Sequence, residues 1–240
     1  MENYPKAAAL ITGGATRIGK AFALALAHAG YDIALHYNTS AEAAIHVRQE
    51  IKSLGVDCDI FQADLSTTSD VKNLFVQVQD RFSTLSLLIN SASIFEPGTL
   101  DDTTEDLFDR HISVNMKAPF FLTQAFAKTV EAGHIINITD AMHTHLLASH
   151  LIYSLTKKSL TDFTLLMAAD LAPKIRVNAI APGWILPPSS DLFGDRDAIR
   201  KTVPLQTQGS LDDMTQALLF LVNNSYVTGQ ILYIDGGRHL

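Results

Sequence analysis

The stretch Thr12-Gly13-Gly14-Ala15-Thr16-Arg17-Ile18-Gly19 decides the fold, because it joins the first apolar run of the chain to the first amphipathic segment. Small residues let the backbone turn tightly and approach a pyrophosphate, and the following helix points its free N–H groups and positive dipole end at that phosphate. Glycines also form plain turns and helix caps. Here the cluster lies between a predicted strand and a predicted helix, as the motif requires. The turn therefore predicts a dinucleotide phosphate site.

Short apolar runs alternate with amphipathic segments along the rest of the chain. The predicted strands are Ala7–Thr12, Asp32–Tyr37, Asp57–Gln62, Leu85–Asn90, Gly133–Thr139, Ile175–Ile180 and Gln230–Ile234. The predicted helices are Arg17–Ala29, Ala41–Ser53, Thr68–Phe82, Leu107–Ala132, Ile152–Ala172, a short one at Asp195–Lys201, and Leu211–Asn223. Strands that are apolar on both faces, repeated in strand–helix–strand units, predict an α/β fold with a doubly wound parallel sheet of about seven strands flanked by helices. No linker or internal repeat divides the sequence, so we expect one domain over residues 1–240.

Composition excludes several classes of function. The net charge of −7 provides no basic surface for nucleic acid or an anionic membrane. Cys58 is the sole cysteine, so no intrachain disulfide forms and a reducing compartment is expected. No apolar stretch is long enough to cross a bilayer, and the few residues before Ala7 leave no room for a signal peptide. We therefore expect a cytoplasmic protein with no nucleic-acid or membrane partner.

The end of the second predicted strand, His36-Tyr37-Asn38-Thr39-Ser40, bears on the choice of dinucleotide. An NAD site usually has Asp or Glu here to bind the ribose hydroxyls, and this segment has neither. Its small polar side chains suit a 2′-phosphate, and Arg17 adds positive charge. Thr39 or Ser40 also fits a simple helix N-cap, and both roles are compatible. The segment favours NADPH over NADH.

Tyr153 and Lys157 lie one helical turn apart on the same face of a predicted helix. An ammonium beside a phenol favours the phenolate and is expected to lower the pKa of Tyr153. Tyr153 would then deliver a proton near neutral pH as hydride arrives from a nicotinamide. The spacing alone is common, and a buried tyrosine beside a solvated lysine is the alternative.

The order of further motifs removes most of that ambiguity. Beside the glycine turn and the Tyr153/Lys157 pair, the chain has Asn90-Ser91-Ala92-Ser93, Val114-Asn115-Met116-Lys117, Arg176-Val177-Asn178 with Pro182-Gly183, and Asp235-Gly236-Gly237. From residue 7 onward this order resembles the short-chain dehydrogenase/reductase superfamily, which implies a Rossmann-type fold. The cofactor-binding residues that the turn, the strand ends and this resemblance together indicate are Gly13, Arg17, Ile18, His36, Tyr37, Asn38, Thr39, Ser40, Asp64, Leu65, Asn90, Ser91, Ala92, Ser93, Tyr153, Lys157, Pro182, Gly183 and Trp184.

Three departures of this sequence from the superfamily pattern indicate a particular subfamily. Asp140 occupies the place of the usual catalytic serine, Arg17 replaces the second glycine of the turn, and Ser93 is followed by Ile94 and Phe95. Together these residues resemble the pteridine reductases. The ending Asp235-Gly236-Gly237-Arg238-His239-Leu240 is similar to the bacterial dihydromonapterin/dihydrofolate reductases.

This resemblance implies residue roles. Phe95 and the nicotinamide would sandwich a flat pterin, which suits an apolar aromatic face. Ser93 would bind the cofactor phosphate or the pterin edge, Arg17 the phosphate and the substrate, and Asn115 the water that links Lys157 to solvent. The implied catalytic residues are Asp140, Tyr153, Lys157 and Asn115. The implied substrate-binding residues are Arg17, Ser93, Phe95, Asp140, Tyr153 and Trp184. The family often has an arginine after the second strand, and here Asn38-Thr39-Ser40 stands there instead.

Some of these residues have structural alternatives. Asp64 would accept from the adenine amino group or cap the next helix, and Trp184 would line the pocket or pack beneath the irregular segment Pro182–Pro204. His143, His145 and His150 form a candidate zinc cluster. The absence of a nearby cysteine, and a superfamily chemistry that needs no metal, argue against it.

Three hypotheses follow. The leading one is NADPH-dependent reduction of a dihydropterin or dihydrofolate, with the proton delivered by Tyr153. The second is reduction of a ketone or oxoacyl thioester, which Asp140 disfavours because a carboxylate repels a developing alkoxide. The third is a non-catalytic dinucleotide sensor, which the intact Tyr153/Lys157 pair disfavours. The resemblance also implies a homotetramer built through the helices that end near Ala132 and Ala172.

Overall fold

The structure, a computed structural model, describes residues 7–141, 148–186 and 196–240. It contains seven strands: β1 (Ala8–Ile11), β2 (Asp32–Tyr37), β3 (Cys58–Gln62), β4 (Leu85–Asn90), β5 (Gly133–Ile138), β6 (Ile175–Pro182) and β7 (Ile231–Ile234). The helices are α1 (Arg17–His28), α2 (Ala41–Ser53), α3 (Thr68–Arg81), α4 (Glu105–Ile112), α5 (Ala118–Thr129), α6 (Leu151–Asp170), α7 (Arg196–Lys201) and α8 (Leu211–Asn223).

All seven strands form one parallel sheet in the order β3-β2-β1-β4-β5-β6-β7. The predicted doubly wound Rossmann-type sheet is therefore confirmed. The strand order reverses between β1 and β4, where Leu10 pairs with Ala34 on one side and Leu88 on the other. In such sheets a crevice opens at the carboxyl ends of the strands flanking this reversal.

Each face of the sheet is covered by three helices, which accounts for the apolar character of both faces. Side chains alternate along a strand, so Ala9 and Ile11 pack in a cluster with α1, α2 and α8. Ala8 and Leu10 pack in the opposite cluster with α3, α5 and α6. None of the helices in the described ranges is both long and apolar enough to traverse a bilayer.

The helix predicted over Leu107–Ala132 is helical from Glu105 to Thr129, but the prediction missed a π-helical turn at Ser113–Lys117 that divides it into α4 and α5. Pro119 has no N–H to donate to the carbonyl of Asn115, four residues earlier, so the α-helical pattern cannot pass through this point. Ala118 N–H instead bonds to the carbonyl of Ser113. The wider turn carries Asn115 into the interior, where the residue is 1% exposed.

Candidate active site

The glycine turn after β1 has no room for side chains at two positions. Gly13 has a φ of +64°, which favours glycine, and a Cβ atom at Gly19 would lie 2.2 Å from the carbonyl oxygen of Gly13. Thr12 fixes the turn to the end of β4, because its Oγ1 accepts hydrogen bonds from Ser91 N at 2.9 Å and Ala92 N at 3.0 Å. The turn is therefore a tight cradle at the switch point of the sheet.

Arg17 adopts the left-handed conformation that a glycine would provide, with a φ of 51°. Such a conformation costs a non-glycine residue roughly 1–2 kcal/mol. The first turn of α1 contains no acidic residue, and Thr16 gives it no side-chain cap. The helix start thus carries an unneutralised positive dipole end, and Thr16, Arg17 and Ile18 all line the cavity beside it.

His36 braces the turn from β2. Its Nδ1 accepts from Gly13 N at 3.0 Å, and its Nε2 lies 3.1 Å from the carbonyl oxygen of Ala63. Since Nδ1 accepts, Nε2 carries the proton and donates to Ala63. Burial lowers the pKa of His36 to about 4, against a smaller opposing effect of the Ala63 hydrogen bond. His36 is therefore a neutral side chain that shapes the cradle through the backbone.

A cavity of about 580 Å³ opens at the carboxyl ends of the strands. It brings together most of the residues that the sequence singled out. Those lining it are Gly13, Arg17, Ile18, His36, Asn38, Leu65, Ser91, Ala92, Ser93, Phe95, Asp140, Tyr153, Lys157, Pro182, Gly183 and Trp184.

Tyr37, Thr39, Ser40, Asp64, Asn90 and Asn115 do not line this cavity. Asn90 faces the interior because its register partner on β5 is Asn137, whose Oδ1 accepts from Asn90 Nδ2 at 2.8 Å. Asp64 Oδ1 accepts from Ser66 N at 2.9 Å in the turn before α3, and the N-cap of α3 is Thr67, so Asp64 does not cap that helix. Ser40 occupies the N-cap position of α2 without a side-chain bond to the helix.

The reactive side chains lie where β5 ends and α6 begins. The Tyr153 hydroxyl donates to Asp140 Oδ2 at 2.5 Å. Lys157 Nζ donates to the carbonyl oxygen of Ile138 at 2.8 Å and lies 5.7 Å from the centre of the Tyr153 ring. Tyr153 and Lys157 are both buried. A phenol, a carboxyl and an amine therefore meet at the base of one cavity.

The expectation that Lys157 lowers the pKa of Tyr153 is wrong for this geometry. Burial raises the pKa of Tyr153 well above its usual range, and the negative charge and hydrogen bond of Asp140 raise it further. Lys157 itself has its pKa lowered by burial to about 8, although Asp140 opposes that shift. Tyr153 is therefore a neutral phenol at pH 7, in the state that a proton donor requires.

Asn115 holds the segment that leads to Phe95. Its Oδ1 accepts from Ile94 N at 2.9 Å and from Ser93 Oγ at 3.1 Å. Its Nδ2 donates to the carbonyl oxygen of Ile94 at 3.0 Å and to Thr156 Oγ1 at 3.2 Å. The amide thus fixes Ser93 and Ile94 to α6, and the predicted water-binding role of Asn115 stays a prediction.

Phe95 is packed on one side by His150, a residue whose contact sequence reasoning missed. The two rings are 4.1 Å apart with an interplanar angle of 8°, and Tyr153 meets Phe95 edge-on at 4.6 Å. Gly98 and His150 form a bridge that holds the two segments together. Phe95 still borders the cavity, with 39% of the residue exposed. The pairing of segments 94–98 and 149–151, which are distant in the sequence, brings the two rings together. No local sequence pattern predicts this contact.

Other outcomes concern the candidate zinc cluster and unpredicted lining residues. His143 and His145 lie outside the described residues, and within 7–141, 148–186 and 196–240 no three His, Cys, Asp or Glu side chains cluster as a metal site.

Trp184 is buried and lines the cavity. Arg238 also lines it, although no role was predicted for this residue; its place directly after Asp235-Gly236-Gly237 was the available signal.

Comparison with known proteins places this site in a family. A family model described as enoyl-(acyl carrier protein) reductase matches residues 13–239. The 3-oxoacyl-(acyl-carrier-protein) reductase of Staphylococcus aureus strain Mu50 is 32% identical over 240 residues, covering 97% of this chain and 98% of the relative.

Two solved structures are similar over nearly their whole length. One is the alternative dihydrofolate reductase 1 FolM of Brucella canis complexed with NADP, with TM-score 0.89, 35% identity, and coverage of 97% of this chain and 94% of that one. The other is a short chain dehydrogenase from Burkholderia cenocepacia J2315 in complex with NADP, with TM-score 0.91, 34% identity and 98% coverage of both chains. The family model, the sequence identity and the structural similarity together show that the chain belongs to the short-chain dehydrogenase/reductase family.

Proposed function

We propose that this protein is an NADPH-dependent pteridine reductase that converts a dihydropterin or dihydrofolate to the tetrahydro form. The observation that carries the proposal is the 2.5 Å hydrogen bond between Tyr153 and the carboxyl of Asp140. When it is protonated, a carboxyl at this position can resupply the phenol with a proton, which reduction of a C=N bond requires at nitrogen. Residues 1–240 would form a single reductase domain.

The residues at the glycine turn fit a dinucleotide. Gly13 and Gly19 leave a cradle that a Cβ atom would fill, and the start of α1 is free of acidic side chains. Arg17 and Asn38 would hold the phosphates, with no carboxylate at Asn38 to repel a 2′-phosphate. NADPH, when bound, supplies the hydride. Lys157 would orient the nicotinamide ribose, as it does in the family that the sequence resembles.

The walls of the cavity suit a flat heterocycle. Phe95 is held at a fixed angle by His150 on one face and by Tyr153 at its edge. A ring that is already immobilised loses little entropy when a second ring stacks against it. Tyr153 would donate its proton to the ring nitrogen, Asp140 would replace that proton, and Lys157 would stabilise the phenolate that forms in between.

Reduction of an oxoacyl thioester or another ketone is the second candidate. It is favoured by the similarity to the staphylococcal 3-oxoacyl-(acyl-carrier-protein) reductase. It is opposed by Asp140, because an ionised carboxyl beside Tyr153 destabilises the alkoxide that a ketone would form. The pteridine hypothesis therefore has the stronger chemical support.

One steady-state experiment separates the candidates. NADPH oxidation is followed with dihydropterin, dihydrofolate, an acetoacetyl thioester and a small ketone panel, under identical conditions. The pteridine proposal expects kcat/KM for at least one dihydropteridine to exceed that of every carbonyl compound by about tenfold or more. Preference for the thioester would establish the carbonyl reductase instead, and inactivity on all of them with retained NADPH binding would point to a sensor.

We also propose a homotetramer. Helices α5 and α6 leave apolar residues exposed, including Phe120 at 42%, Leu155 at 46% and Leu166 at 65%. Exposed apolar surface of this kind is what a subunit interface would cover. Sedimentation velocity of wild type and Leu166→Glu measures the assembly, and a monomeric wild type at micromolar concentration would refute it.

A further inference from the structure

Arg238 brings a positive charge to the cavity from the segment that follows β7. The residue is partly buried and lines the cavity together with Asp140 and Tyr153. Burial lowers the pKa of Arg238, and the nearby carboxyls of Asp140 and Asp235 oppose that shift. Within the described part of the chain, its guanidinium donates no hydrogen bond to another residue. A half-buried arginine without such a bond has donors available for a ligand.

The loop that carries Arg238 is held rigidly by its neighbours. Asp235 Oδ1 accepts from Gly237 N at 2.9 Å, and its Oδ2 accepts from His239 N at 2.7 Å and from His239 Nδ1 at 2.8 Å. The His239 ring stacks on Tyr233 with centres 3.9 Å apart and an interplanar angle of 17°. These contacts enclose Arg238 between two anchored residues. Its position at the cavity is therefore a built feature of the fold.

Glycine conformations make this loop possible. Gly236 and Gly237 have φ values of +65° and +87°, which side-chain-bearing residues rarely adopt. The carbonyl oxygen of Gly236 accepts from Leu205 N at 3.1 Å, so the turn is also tied to the segment after α7. The chain turns back toward the cavity after β7, and Arg238 follows directly from that turn.

The charge of the cavity is unlike that of the whole molecule. The protein has a net charge of −7, whereas the lining contains three basic side chains, Arg17, Lys157 and Arg238, and one carboxyl, Asp140. Arg17 lies at the phosphate cradle and Lys157 is bound to Ile138 at the base. Arg238 is the remaining cation, and it lines the same cavity within electrostatic range of Asp140. A cavity with this surplus of positive charge attracts an anionic ligand.

We propose that Arg238 binds a carboxylate of the substrate, so the preferred pteridine is one that carries an acidic substituent. The planar guanidinium presents paired N–H donors that match a carboxylate, and partial burial strengthens such a charged hydrogen bond. This inference rests on the proposed function. It deepens that function by distinguishing a dihydrofolate, which has carboxylates on its glutamate, from a dihydropterin with a neutral side chain.

The first arm of the test is a ratio of activities. For wild type, Arg238→Gln and Arg238→Lys, kcat/KM is measured with dihydrofolate and with a neutral dihydropterin. The ratio of dihydrofolate to dihydropterin should fall at least about tenfold in Arg238→Gln, mainly through KM, and less in Arg238→Lys, which keeps the charge. Arg48→Ala, an arginine of α2 outside the cavity, should leave the ratio as in wild type. An equal loss on both substrates would overturn the proposal, because Arg238 would then act through Asp140 or through folding.

The second arm measures binding without turnover. Trp184 is the only tryptophan and lines the cavity, so its fluorescence reports on folate and pterin added to the NADP⁺-loaded protein. Folate affinity should fall about tenfold in Arg238→Gln while pterin affinity changes less than about twofold. If Arg238→Gln loses folate affinity in this way but the wild type turns over no pteridine, the proposed function is refuted and the carboxylate-binding role of Arg238 stands. Normal pteridine turnover with unchanged folate affinity would defeat the carboxylate site alone. A wild type that binds neither compound would defeat both.

Discussion

Tyr153 and Asp140 share a hydrogen bond of 2.5 Å, in which the phenol donates to the carboxyl oxygen. In this arrangement the negative form of Asp140 holds the phenolic proton in place, and the protonated form is able to replace it. The protonation state of Asp140 therefore decides whether Tyr153 can be reprotonated directly after it has donated its proton.

This relationship predicts the effect of pH and of Asp140 variants. Activity on a dihydropterin should rise as pH falls into the range where Asp140 becomes protonated, because the protonated carboxyl restores the proton on Tyr153. Asp140→Ser should flatten that rise and reduce pterin turnover while improving reduction of a simple ketone. Asp140→Asn should have low activity on both the pterin and the ketone, since an amide keeps the shape of the carboxyl but relays no proton. Profiles of kcat/KM against pH provide the measurement, and an Asp140→Ser profile identical to wild type would remove Asp140 from the mechanism.

A second prediction concerns Tyr153 and Lys157. Tyr153→Phe removes the proton donor and should lower kcat by about 10²–10⁴-fold, with NADPH affinity largely intact. Lys157→Met should weaken both turnover and NADPH binding. Because the pKa of Lys157 is lowered to about 8, its positive charge is lost as pH rises through that value, so wild-type kcat should decline above it. Near-normal turnover by Tyr153→Phe would mean that another group donates the proton.

Cofactor preference is the third prediction. Since residues 36–40 contain no Asp or Glu, kcat/KM with NADPH should exceed that with NADH by at least about tenfold, or about 1.4 kcal/mol. Asn38 lines the cavity, so Asn38→Asp should shrink that preference by repelling the 2′-phosphate. Steady-state kinetics with both dinucleotides test it, and equal use by wild type would contradict it.

The conformation of Arg17 gives a prediction in which stability and binding move in opposite directions. Arg17→Gly relieves a left-handed backbone and should raise the free energy of unfolding by about 1 kcal/mol. The same change removes a cation from the phosphate cradle and should weaken NADPH binding about tenfold or more. Urea unfolding and NADPH titration measure the two effects. A variant that loses stability would show that Arg17 contacts outweigh the backbone strain.

His36 predicts a dependence of stability on acid. Its folded-state pKa of about 4 lies below the ordinary value, 6.5, so the unfolded chain binds more protons between these limits. The contribution of neutral His36 is complete above about pH 6.5 and is lost as pH falls toward about 4, on the order of 3 kcal/mol. His36→Gln keeps an acceptor for Gly13 and a donor for Ala63 but does not titrate. Its unfolding free energy should therefore vary less over this range than that of wild type, and an equal variation would exclude His36 as the cause.

The sheet followed from the sequence because buried parallel strands leave a local signal, and strands such as β2 and β4 match their predicted bounds. Features set by distant partners left no such signal. Asn90 turns inward because its register neighbour is Asn137, and His150 supports Phe95 through a pairing across some fifty residues of chain. The π-helical turn at Ser113–Lys117 could have been predicted from the sequence, because Pro119 has no N–H to bond to the carbonyl of Asn115. The place of Arg238 depends on how the segment after β7 folds back.

The cavity draws its lining from Gly13 near one end of the sequence and Arg238 near the other. On the ribosome the two halves are therefore completed at different times: the dinucleotide cradle is synthesised within the first ninety-odd residues, whereas the substrate side waits for β6, β7 and the loop beyond them. Because α1 also packs against α8, the early half lacks this support until Leu211–Asn223 has been synthesised. A nascent chain thus acquires the groups for nucleotide capture well before it can assemble a site for chemistry.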